Sequence, residues 1–380
     1  MGLAADLLAA AVALLAIHVS VPLYHYATAL RWSRRLRPRG AGGGQPRPRV
    51  TVVVPTYMEA GGIAGKLEDV FSQGGDALAE VVVVDAASPD GTARVAEEWA
   101  RSRGLEGKVR VLVEPSRRGK HAAENEALKV ASGDIVVFTD ADCLWERGAL
   151  ARALEWLADP SVGLVTCSKR PARAGLVEGG YRDLYNVVRA GESAIHSTPI
   201  AHGELLAVRR DLLLKLGGLR PGADDSDLAH RVAMAGLRAV APLDVVCVES
   251  VPTRGYFMWR VRRAQHLVEH FARAVRDLPR APRGYRQGLA AESFLHLVNE
   301  WLALAAAALL ASAAVLGSVI AAALLAALAS LMALGPVRSW AYMQLVLAAA
   351  SVRNLFTREY VWERQPRQLL RPQAGAARGL

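Results

Sequence analysis

Long uncharged, apolar runs occupy the two ends of the chain, whereas the middle alternates short apolar and polar segments. Residues 7–30 and residues 301–334 contain no Asp, Glu, Lys or Arg. Because about 20 apolar residues cross a bilayer as a helix, the first run predicts one transmembrane helix. The second run is too long for one span at about 1.5 Å of rise per residue, and it predicts two short spans with a hairpin near Gly317 and Ser318.

Arginines flank both apolar regions and predict how the chain is oriented in the membrane. They are Arg31, Arg34, Arg35, Arg37 and Arg39 after the first run, and Arg353, Arg358, Arg364, Arg367 and Arg371 near the C-terminus. Because basic flanks stay on the cytoplasmic side, we expect a multi-pass protein of the cell membrane with a cytoplasmic soluble domain. A cleaved signal peptide is the alternative, but it needs early basic residues, and Asp6 is the only charge before the run. Residues 340–350 are apolar but short, and they predict a third span, a re-entrant segment or an interfacial helix.

The middle of the chain alternates short β-branched runs with helical segments of roughly ten residues. Buried strands are predicted over residues 50–55, 80–85, 108–114, 135–138 and 162–167, and helices over 62–71, 92–101, 121–131, 146–157, 211–216 and 228–235. Such alternation is typical of βαβ units, so we expect a Rossmann-like α/β domain with a mostly parallel sheet. Residues 237–251 predict one or two edge strands, and residues 170–198 show no clear pattern.

A basic amphipathic helix is predicted over residues 256–275. Its apolar positions recur at helical spacing, and Arg260, Arg262 and Arg263 flank them. Beside membrane segments this pattern predicts a helix that lies in the membrane interface, and a surface helix docked on the sheet is the alternative.

These patterns divide the chain into six parts. They are an N-terminal transmembrane helix (1–30), a basic Gly/Pro linker (31–49), the α/β domain (50–253), interface helices (254–295), a C-terminal transmembrane region (296–356) and a basic cytosolic tail (357–380).

Composition and charge narrow the functional classes. The 380 residues carry a formal charge of +10, which suits nucleic acid, anionic lipids or phosphate-bearing substrates. Many of the arginines flank the membrane runs, and no nucleic-acid-binding module is recognisable, so we expect no nucleic-acid partner. The three cysteines, Cys143, Cys167 and Cys247, are widely spaced, which argues against a disulfide framework or structural zinc and indicates a reducing compartment.

Acidic residues follow two of the predicted strands and suggest a ligand site. Asp140 and Asp142 come directly after the strand 135–138, and Asp85 ends the strand 80–85. Ligands bind at the carboxyl ends of strands in open α/β sheets, and a carboxylate pair there can hold a divalent cation on a substrate's phosphates. A solvated turn is the alternative for the pair considered alone.

Other turns on the same edge supply complementary chemistry. Residues 55–59 can hold a nucleoside, and Arg117, Arg118 and Lys120 can offset the charge of a diphosphate. Asp224 and Asp225 precede an apolar helix, where one can act as a general base, although an ordinary helix N-cap explains them equally well. Together these features indicate transfer of a group from a nucleotide diphosphate donor.

Five segments, in this order, resemble the motifs of the family 2 glycosyltransferases of the GT-A fold. They read VVVPTYMEA (52–60), VVVVDAASPDGT (81–92), GKHAAENEAL (119–128), FTDADC (138–143) and GADDSDLAHRV (222–232). The chain is most similar in organisation to the membrane-anchored groups, which include cellulose and hyaluronan synthases and dolichyl-phosphate sugar synthases.

The resemblance implies a role for each matched position. It implies nucleotide contacts for Pro55, Thr56, Glu59 and Asp85. It implies contacts with the donor phosphates for Lys120, Asn125 and Asp140. Asp140 and Asp142 form the D-x-D pair, with Asp142 the most direct ligand of Mn²⁺ or Mg²⁺. Asp225 matches the catalytic base, Asp224 precedes it, and the family inverts the anomeric centre.

One motif departs from the pattern of the processive members. They carry Q-x-x-R-W after the base, whereas WRVRRAQHL holds Trp259, Arg262, Arg263 and Gln265 in another order. This argues against processive polymerisation, and an arginine such as Arg262 or Arg263 is expected to hold the diphosphate.

We therefore expect a metal-dependent inverting glycosyltransferase that moves a sugar from a UDP- or GDP-sugar to a hydroxyl of a lipid-linked or polysaccharide acceptor beside the membrane lipids. A polyprenyl- or dolichyl-phosphate sugar synthase is the alternative, but a phosphate nucleophile hardly needs the Asp224–Asp225 pair as a base. A non-catalytic nucleotide-binding membrane scaffold is the alternative from another class.

Overall fold

The computed structural model describes residues 2–38, 48–172, 176–252, 254–357 and 370. The strands are β1 Val50–Thr56, β2 Leu78–Asp85, β3 Val109–Val113, β4 Ile135–Phe138, β5 Cys143–Trp145, β6 Val162–Thr166, β7 Ser168–Pro171, β8 Leu206–Arg209, β9 Arg238–Val240 and β10 Val246–Glu249. The helices are α1 Leu3–Ser33, α2 Ile63–Gly74, α3 Thr92–Ser102, α4 Lys120–Val130, α5 Ala149–Leu157, α6 Leu176–Ile195, α7 Arg210–Lys215, α8 Asp224–Met234, α9 Tyr256–Ala274, α10 Arg283–Leu297, α11 Asn299–Val315, α12 Val319–Leu331 and α13 Gly335–Arg353. Residues 39–47 of the predicted linker and almost all of the predicted tail lie outside the described residues, including Arg39, Arg358, Arg364, Arg367 and Arg371.

A seven-stranded sheet in the order β3-β2-β1-β4-β8-β6-β9 forms the centre of the molecule. Its neighbouring strands are parallel except where β8 pairs with β4 and β6, so the predicted α/β fold with a mostly parallel sheet is confirmed. Val52, Val53 and Val54 of β1 are fully buried because both faces of the sheet are covered. This double burial explains why the strands read as continuous apolar runs.

The strand register brings the ends of three strands to one edge of the sheet. Thr56 pairs with Asp85 across β1 and β2, and Val53 pairs with Phe138 across β1 and β4. The turns that follow these strands therefore lie side by side, at the edge where open α/β sheets bind ligands.

A second sheet, in the order β5-β10-β7, was not predicted. Its strands β5 and β7 have only three and four residues, too few to show a periodic pattern. The Lys66 ammonium donates to the carbonyl of Cys143 at 3.1 Å and lies over the Trp145 ring, which fixes β5 directly after the acidic pair. All three cysteines are free and buried.

Three other segments differ from the sequence prediction. The helix predicted over 228–235 begins at Asp224, so Asp224 and Asp225 occupy its first turn instead of a preceding turn. The stretch 170–198, which showed no clear pattern, begins with the end of β7, and most of it forms the helix α6. Residues 237–251, predicted as one or two edge strands, form two strands. β9 is an edge strand of the large sheet beside β6, whereas β10 is the central strand of the small sheet.

Among the described residues, α1 is the one helix that is long and apolar enough by itself to cross a membrane. Two bent pairs also pass that test when each pair is taken as one span: α10 with α11, bent by 43°, and α12 with α13, bent by 104°. The predicted break at Gly317 and Ser318 is confirmed, since α11 ends before it and α12 begins after it. The amphipathic helix α9 buries Trp259 and Phe271 fully, whereas Phe257 and Met258 in its first turn are exposed.

Gly191 is where α6 touches the backbone of α1. A Cβ at Gly191 would lie 2.6 Å from the carbonyl carbon of Ala29, a distance that forces the helices apart. We expect Gly191→Ala to lower the free energy of unfolding by about 1–3 kcal/mol, measured as a fall in Tm in detergent. Gly180→Ala on the same helix, where a Cβ meets no atom within 4 Å, is the matched control. An unchanged Tm for Gly191→Ala would contradict this packing.

Candidate active site

A cleft of about 340 Å³ opens at the carboxyl edge of the large sheet, between the turns after β1 and β4 and the helices α8 and α9. It brings together nine of the eleven site residues predicted from the sequence, which are Pro55, Thr56, Glu59, Lys120, Asp140, Asp142, Asp224, Asp225 and Arg263. The other two, Asp85 and Asn125, do not line the cleft.

The turn after β1 is held in shape by the side chains of the turn after β2. Ser88 accepts a hydrogen bond from the Met58 amide at 2.8 Å, and Thr92 accepts one from the Glu59 amide at 2.9 Å. Met58 has a φ of 58°, a conformation that a side-chain-bearing residue adopts only when its surroundings impose it. The segment SPDGT (88–92) therefore holds the turn after β1 in shape through the side chains of Ser88 and Thr92.

Asp85 lies beneath these turns. Its carboxylate accepts hydrogen bonds from the Thr56 hydroxyl at 3.2 Å and the Ser88 amide at 3.0 Å, and it also accepts one from the Ser88 hydroxyl. The side chain is almost fully buried. Its position orients Thr56, which itself lines the cleft.

Two basic residues of the segment 116–120 face the cleft and one faces away. Arg117 stacks on the Tyr57 ring with its guanidinium carbon 3.7 Å from the ring centre, and both residues line the cleft. Arg118 instead pairs with Glu114 at 2.6 Å and Glu126 at 2.9 Å. Of the arginines predicted to meet a diphosphate from this segment, only Arg117 is therefore in position.

Lys120 forms ion pairs with two carboxylates, Asp140 and Glu124. Its ammonium lies 2.6 Å from Asp140 Oδ1 and 3.8 Å from Glu124 Oε1. Burial works against the charged amine, but Asp140, Glu124 and the two acids of α8 raise the pKa of Lys120 well above its usual range. Gly203 passes so close that a Cβ there would overlap the ammonium.

Asp140 and Asp142 follow β4 and face into the cleft from its floor. Although burial opposes ionisation, Lys120 lowers the pKa of Asp140, so this carboxylate is charged at neutral pH. Carboxylate oxygens are the ligands that Mn²⁺ and Mg²⁺ prefer, and two of them leave most of the coordination positions for phosphate oxygens and water. The donor set at this place therefore fits a divalent cation that arrives with a diphosphate.

Asp224 and Asp225 occupy the first turn of α8 at the opposite side of the cleft. Asp224 accepts a hydrogen bond from the Asp225 amide at 3.0 Å, and Asp225 accepts one from the Ser226 amide at 2.8 Å. Burial, together with the neighbouring charge of Asp224, raises the pKa of Asp225, and burial raises that of Asp224. The residue before the helix is Ala223, and no side chain caps the first turn, so the N-cap alternative is wrong. Both acids lie within the first turn and are suited to proton transfer.

Sequence reasoning missed a buried carboxyl on α4. Glu124 is 2% exposed, and burial raises its pKa well above the usual range despite the nearby Lys120 ammonium. Glu124 stands one helical turn after Lys120, which is the spacing that places both side chains on one face. The segment GKHAAE therefore carried a signal for this residue.

A second missed group is a buried charge network behind Arg263. Arg263 donates to Glu249 and lies 3.4 Å from Glu204, and Arg182 binds Glu249 at 2.6 Å. Lys169 pairs with Glu204 and lies 3.7 Å from Glu249, so three cations share two carboxylates. The five residues come from distant segments, and no local pattern connects them.

His202 lines the cleft beside this network. Burial, with the neighbouring Arg189 and Lys169, lowers the pKa of His202 well below its usual range, so the imidazole is neutral at pH 7. Arg189 donates to the Ile200 carbonyl at 3.0 Å and holds the segment that carries His202. The sequence HGE at 202–204 gave no indication beyond its return to apolar residues.

A smaller cavity of about 90 Å³ lies behind the cleft and shares Ile200, His202, Arg263 and Leu267 with it. Four arginines line it together with apolar residues of α13; they are Arg182, Arg189, Arg260 and Arg263, with Met343, Val346 and Leu347. One wall is therefore cationic, and the other belongs to a helix of the candidate membrane region.

Asn125 on α4 binds the backbone of Leu219 and does not line the cleft. Its amide accepts a hydrogen bond from the Leu219 amide and donates one to the Leu219 carbonyl, both at 2.9 Å. We expect Asn125→Ala to lower the free energy of unfolding by about 1–3 kcal/mol while leaving the KM for the donor unchanged. Thermal unfolding and initial-rate kinetics measure the two effects, and Asn125→Asp, which keeps the acceptor, should show a smaller loss of stability. A raised KM without a loss of stability would instead support the predicted phosphate contact.

Comparison with known proteins places these observations in a family context. The sequence profile described as Glycosyl transferase family 2 matches residues 51–217. The mannosyltransferase PcManGT from Pyrobaculum calidifontis, solved in complex with GDP-Man and Mn²⁺, is 50% identical, and the match covers 93% of this chain and 100% of that chain with a TM-score of 0.84.

Curated relatives match over shorter segments. Glycosyltransferase AglE of Haloferax volcanii is 34% identical over 119 residues, which are 31% of this chain and 38% of the relative. A dolichol-phosphate mannosyltransferase of Pyrococcus furiosus is 32% identical over 136 residues, 34% of this chain and 35% of the relative. The chain thus spans well under half the length of these two relatives.

Proposed function

The chain belongs to glycosyltransferase family 2 with a GT-A fold, and from this premise we propose that it transfers mannose from GDP-mannose to a hydroxyl of a lipid-linked acceptor at the membrane. The observation that carries the proposal is the cleft that holds the Asp140–Asp142 pair, Lys120 and the Asp224–Asp225 pair together. The choice of donor rests on the 50% identical mannosyltransferase, whose complex contains GDP-Man and Mn²⁺.

The donor occupies the side of the cleft next to β1. Thr56, Glu59 and the stacked Tyr57–Arg117 pair bind the nucleoside, because they offer hydrogen-bonding groups and a flat cationic surface. Asp142 and Asp140 would hold Mn²⁺ or Mg²⁺ next to the diphosphate. A divalent cation there offsets the charge that develops on the leaving GDP. Lys120 positions Asp140 through their ion pair.

The acceptor occupies the side next to α8. Asp225 takes the proton of the acceptor hydroxyl as its oxygen bonds to the anomeric carbon, and the bond from that carbon to the GDP oxygen breaks. A single displacement of this kind inverts the anomeric centre. Arg263 stabilises the negative charge on the departing diphosphate, and its partners Glu204 and Glu249 keep its guanidinium at the cleft wall.

The small arginine-lined cavity supports an acceptor that comes from the lipid side. Its apolar wall on α13 suits a lipid chain, and its cationic wall suits the phosphate that links such a chain to a glycan. The same arginines favour a second candidate function, transfer to polyprenyl phosphate itself. Mass spectrometry after incubation with GDP-mannose separates the two: the first predicts a mannosylated lipid-linked glycan, and the second predicts mannosylated polyprenyl phosphate. The absence of any mannosylated lipid would contradict both.

We propose three membrane crossings, α1 and the two bent helix pairs, around a cytoplasmic catalytic domain over residues 50–253. The lengths and apolar character of these helices support the crossings, and the arginines at the end of α1 support the orientation. This arrangement places the cleft at the cytoplasmic face, with α9 beside the membrane and residues 357–380 as a cytosolic tail. It makes α10 the first part of a crossing and not an interface helix.

The raised pKa of Asp225 has a consequence for the pH dependence. A general base acts when it is deprotonated, so kcat/KM should fall as the pH decreases through the pKa of Asp225, which lies above the usual aspartate value of about 3.9. Asp224→Asn removes the neighbouring negative charge and should shift this decline to lower pH. A decline that moves to higher pH in Asp224→Asn would contradict the assignment of Asp225.

A further inference from the structure

A buried cluster outside the cleft joins three helices. It consists of His25 on α1, Glu192 on α6 and Glu292 on α10, whose exposed fractions are 7%, 3% and 0%. His25 Nε2 lies 3.1 Å from Glu192 Oε1 and 3.6 Å from Glu292 Oε1. None of the three residues lines the catalytic cleft.

The spacing of these atoms suits a shared metal ion. One ligand atom from each residue can be chosen so that all three lie within 4.8 Å of one another. Nitrogen and oxygen ligands at about 2.0–2.2 Å from a tetrahedral ion stand about 3.4 Å apart, between the two distances measured from His25.

The state of Glu292 is a second and independent observation. Its side chain is fully buried, yet among the described residues neither carboxylate oxygen has a hydrogen-bond partner. The nearest ionisable groups are His25, at 3.6 Å, and His296, whose Nδ1 lies 3.2 Å from Oε2. The carboxylate thus lies between two imidazoles without a well-aligned hydrogen bond to either, and a cation bound at Oε1 would complete its contacts.

Outer contacts hold the other carboxylate in place. The Thr198 hydroxyl donates to Glu192 Oε2 at 2.9 Å, which leaves Oε1 directed towards His25. Hydrogen bonds to a ligand's second oxygen are typical of metal sites, because they orient the atom that binds the metal.

We propose that His25, Glu192 and Glu292 bind one divalent transition-metal ion, such as Zn²⁺, which accepts both imidazole nitrogen and carboxylate oxygen ligands. The ion links α1 to α6 and α10, because each of the three helices supplies one ligand. It is separate from the cation on the donor diphosphate and takes no part in the transfer. The alternative, a metal-free ion-pair cluster of the same three residues, is an outcome of the test.

The test measures metal content and Co²⁺ absorption on the full chain in nanodiscs, in an Asp140→Asn/Asp142→Asn background that removes the donor-side pair. Mass spectrometry of metals should find about one equivalent of transition metal per chain after dialysis. Added Co²⁺ should give a saturable visible absorption band, and Zn²⁺ should abolish it. Glu292→Gln should reduce the bound metal at least tenfold.

His18 supplies the matched control. It is the other buried histidine of α1, but its Nδ1 faces Asn299 Oδ1 at 3.1 Å and no carboxylate. His18→Ala should retain the metal and the Co²⁺ band. Metal-free protein without a Co²⁺ band in the parent background would overturn the proposal, whether or not Glu292→Gln folds, and so would full metal retention in folded Glu292→Gln.

Discussion

Asp225→Asn is expected to lower the rate of sugar transfer by about 10²–10⁴-fold while leaving binding of the donor nearly unchanged. The asparagine still accepts the hydrogen bond from the Ser226 amide, so the first turn of α8 keeps this contact. It cannot take the proton of the acceptor hydroxyl. Initial rates of transfer and equilibrium binding of GDP with Mn²⁺ measure the two quantities separately.

Asp227→Asn is the matched control for this variant. Asp227 lies in the same turn but pairs with Arg231 at 2.7 Å and does not line the cleft. We expect it to retain most of the transfer activity. Near-full activity of Asp225→Asn would refute its role as base, and it would favour polyprenyl phosphate as the acceptor, because a phosphate is already anionic at neutral pH.

Asp142→Asn is expected to lower transfer by about 10²-fold or more, since a cation on the leaving diphosphate contributes several kcal/mol to the stabilisation of the transition state. Loss of a carboxylate ligand should also raise the Mn²⁺ concentration needed for half-maximal activity. The titration of activity with Mn²⁺ measures both effects.

Asp134→Asn at the other end of β4 is the control for the acidic pair. Its carboxylate accepts a hydrogen bond from the Arg49 amide at 2.8 Å, away from the cleft. We expect its Mn²⁺ dependence to match that of the wild type. If Asp142→Asn shows an unchanged Mn²⁺ requirement, Asp142 is not a ligand of the catalytic metal.

The sequence predicted the central sheet well because its strands are buried on both faces. β1, β2 and β4 read as continuous β-branched runs, and the acids that follow them meet at one edge through the parallel pairing. The strands β5 and β7 escaped prediction, because β5 has only three residues and β7 reads SKRP, which is not an apolar run.

Side-chain direction was the limit for the site residues. Asn125 and Lys120 belong to one motif, but they project from different faces of α4, so only Lys120 lines the cleft. Asp85 ends its strand as predicted and lies under Thr56. The sequence gives the position of a residue along a helix or strand, whereas the packing of the element determines whether its side chain lines the cleft or contacts the core.

Long-range pairing was the other limit. Glu249 is joined to Arg182 and Arg263, which lie on two different helices, and the partners only become neighbours through the folding of both sheets. Single charged residues in separate segments carry no local pattern, so this network was accessible only from the structure.

The most direct test is a donor assay on the full-length protein in nanodiscs with lipid-linked acceptors, in the presence and absence of Mn²⁺. GDP-mannose should yield GDP and a mannosylated lipid in equal amounts with Mn²⁺, and both should disappear with a chelator. UDP-sugars should yield no product. Transfer that continues at the same rate in the chelator, or no transfer from any nucleotide sugar, would contradict the proposed metal-dependent mannosyl transfer.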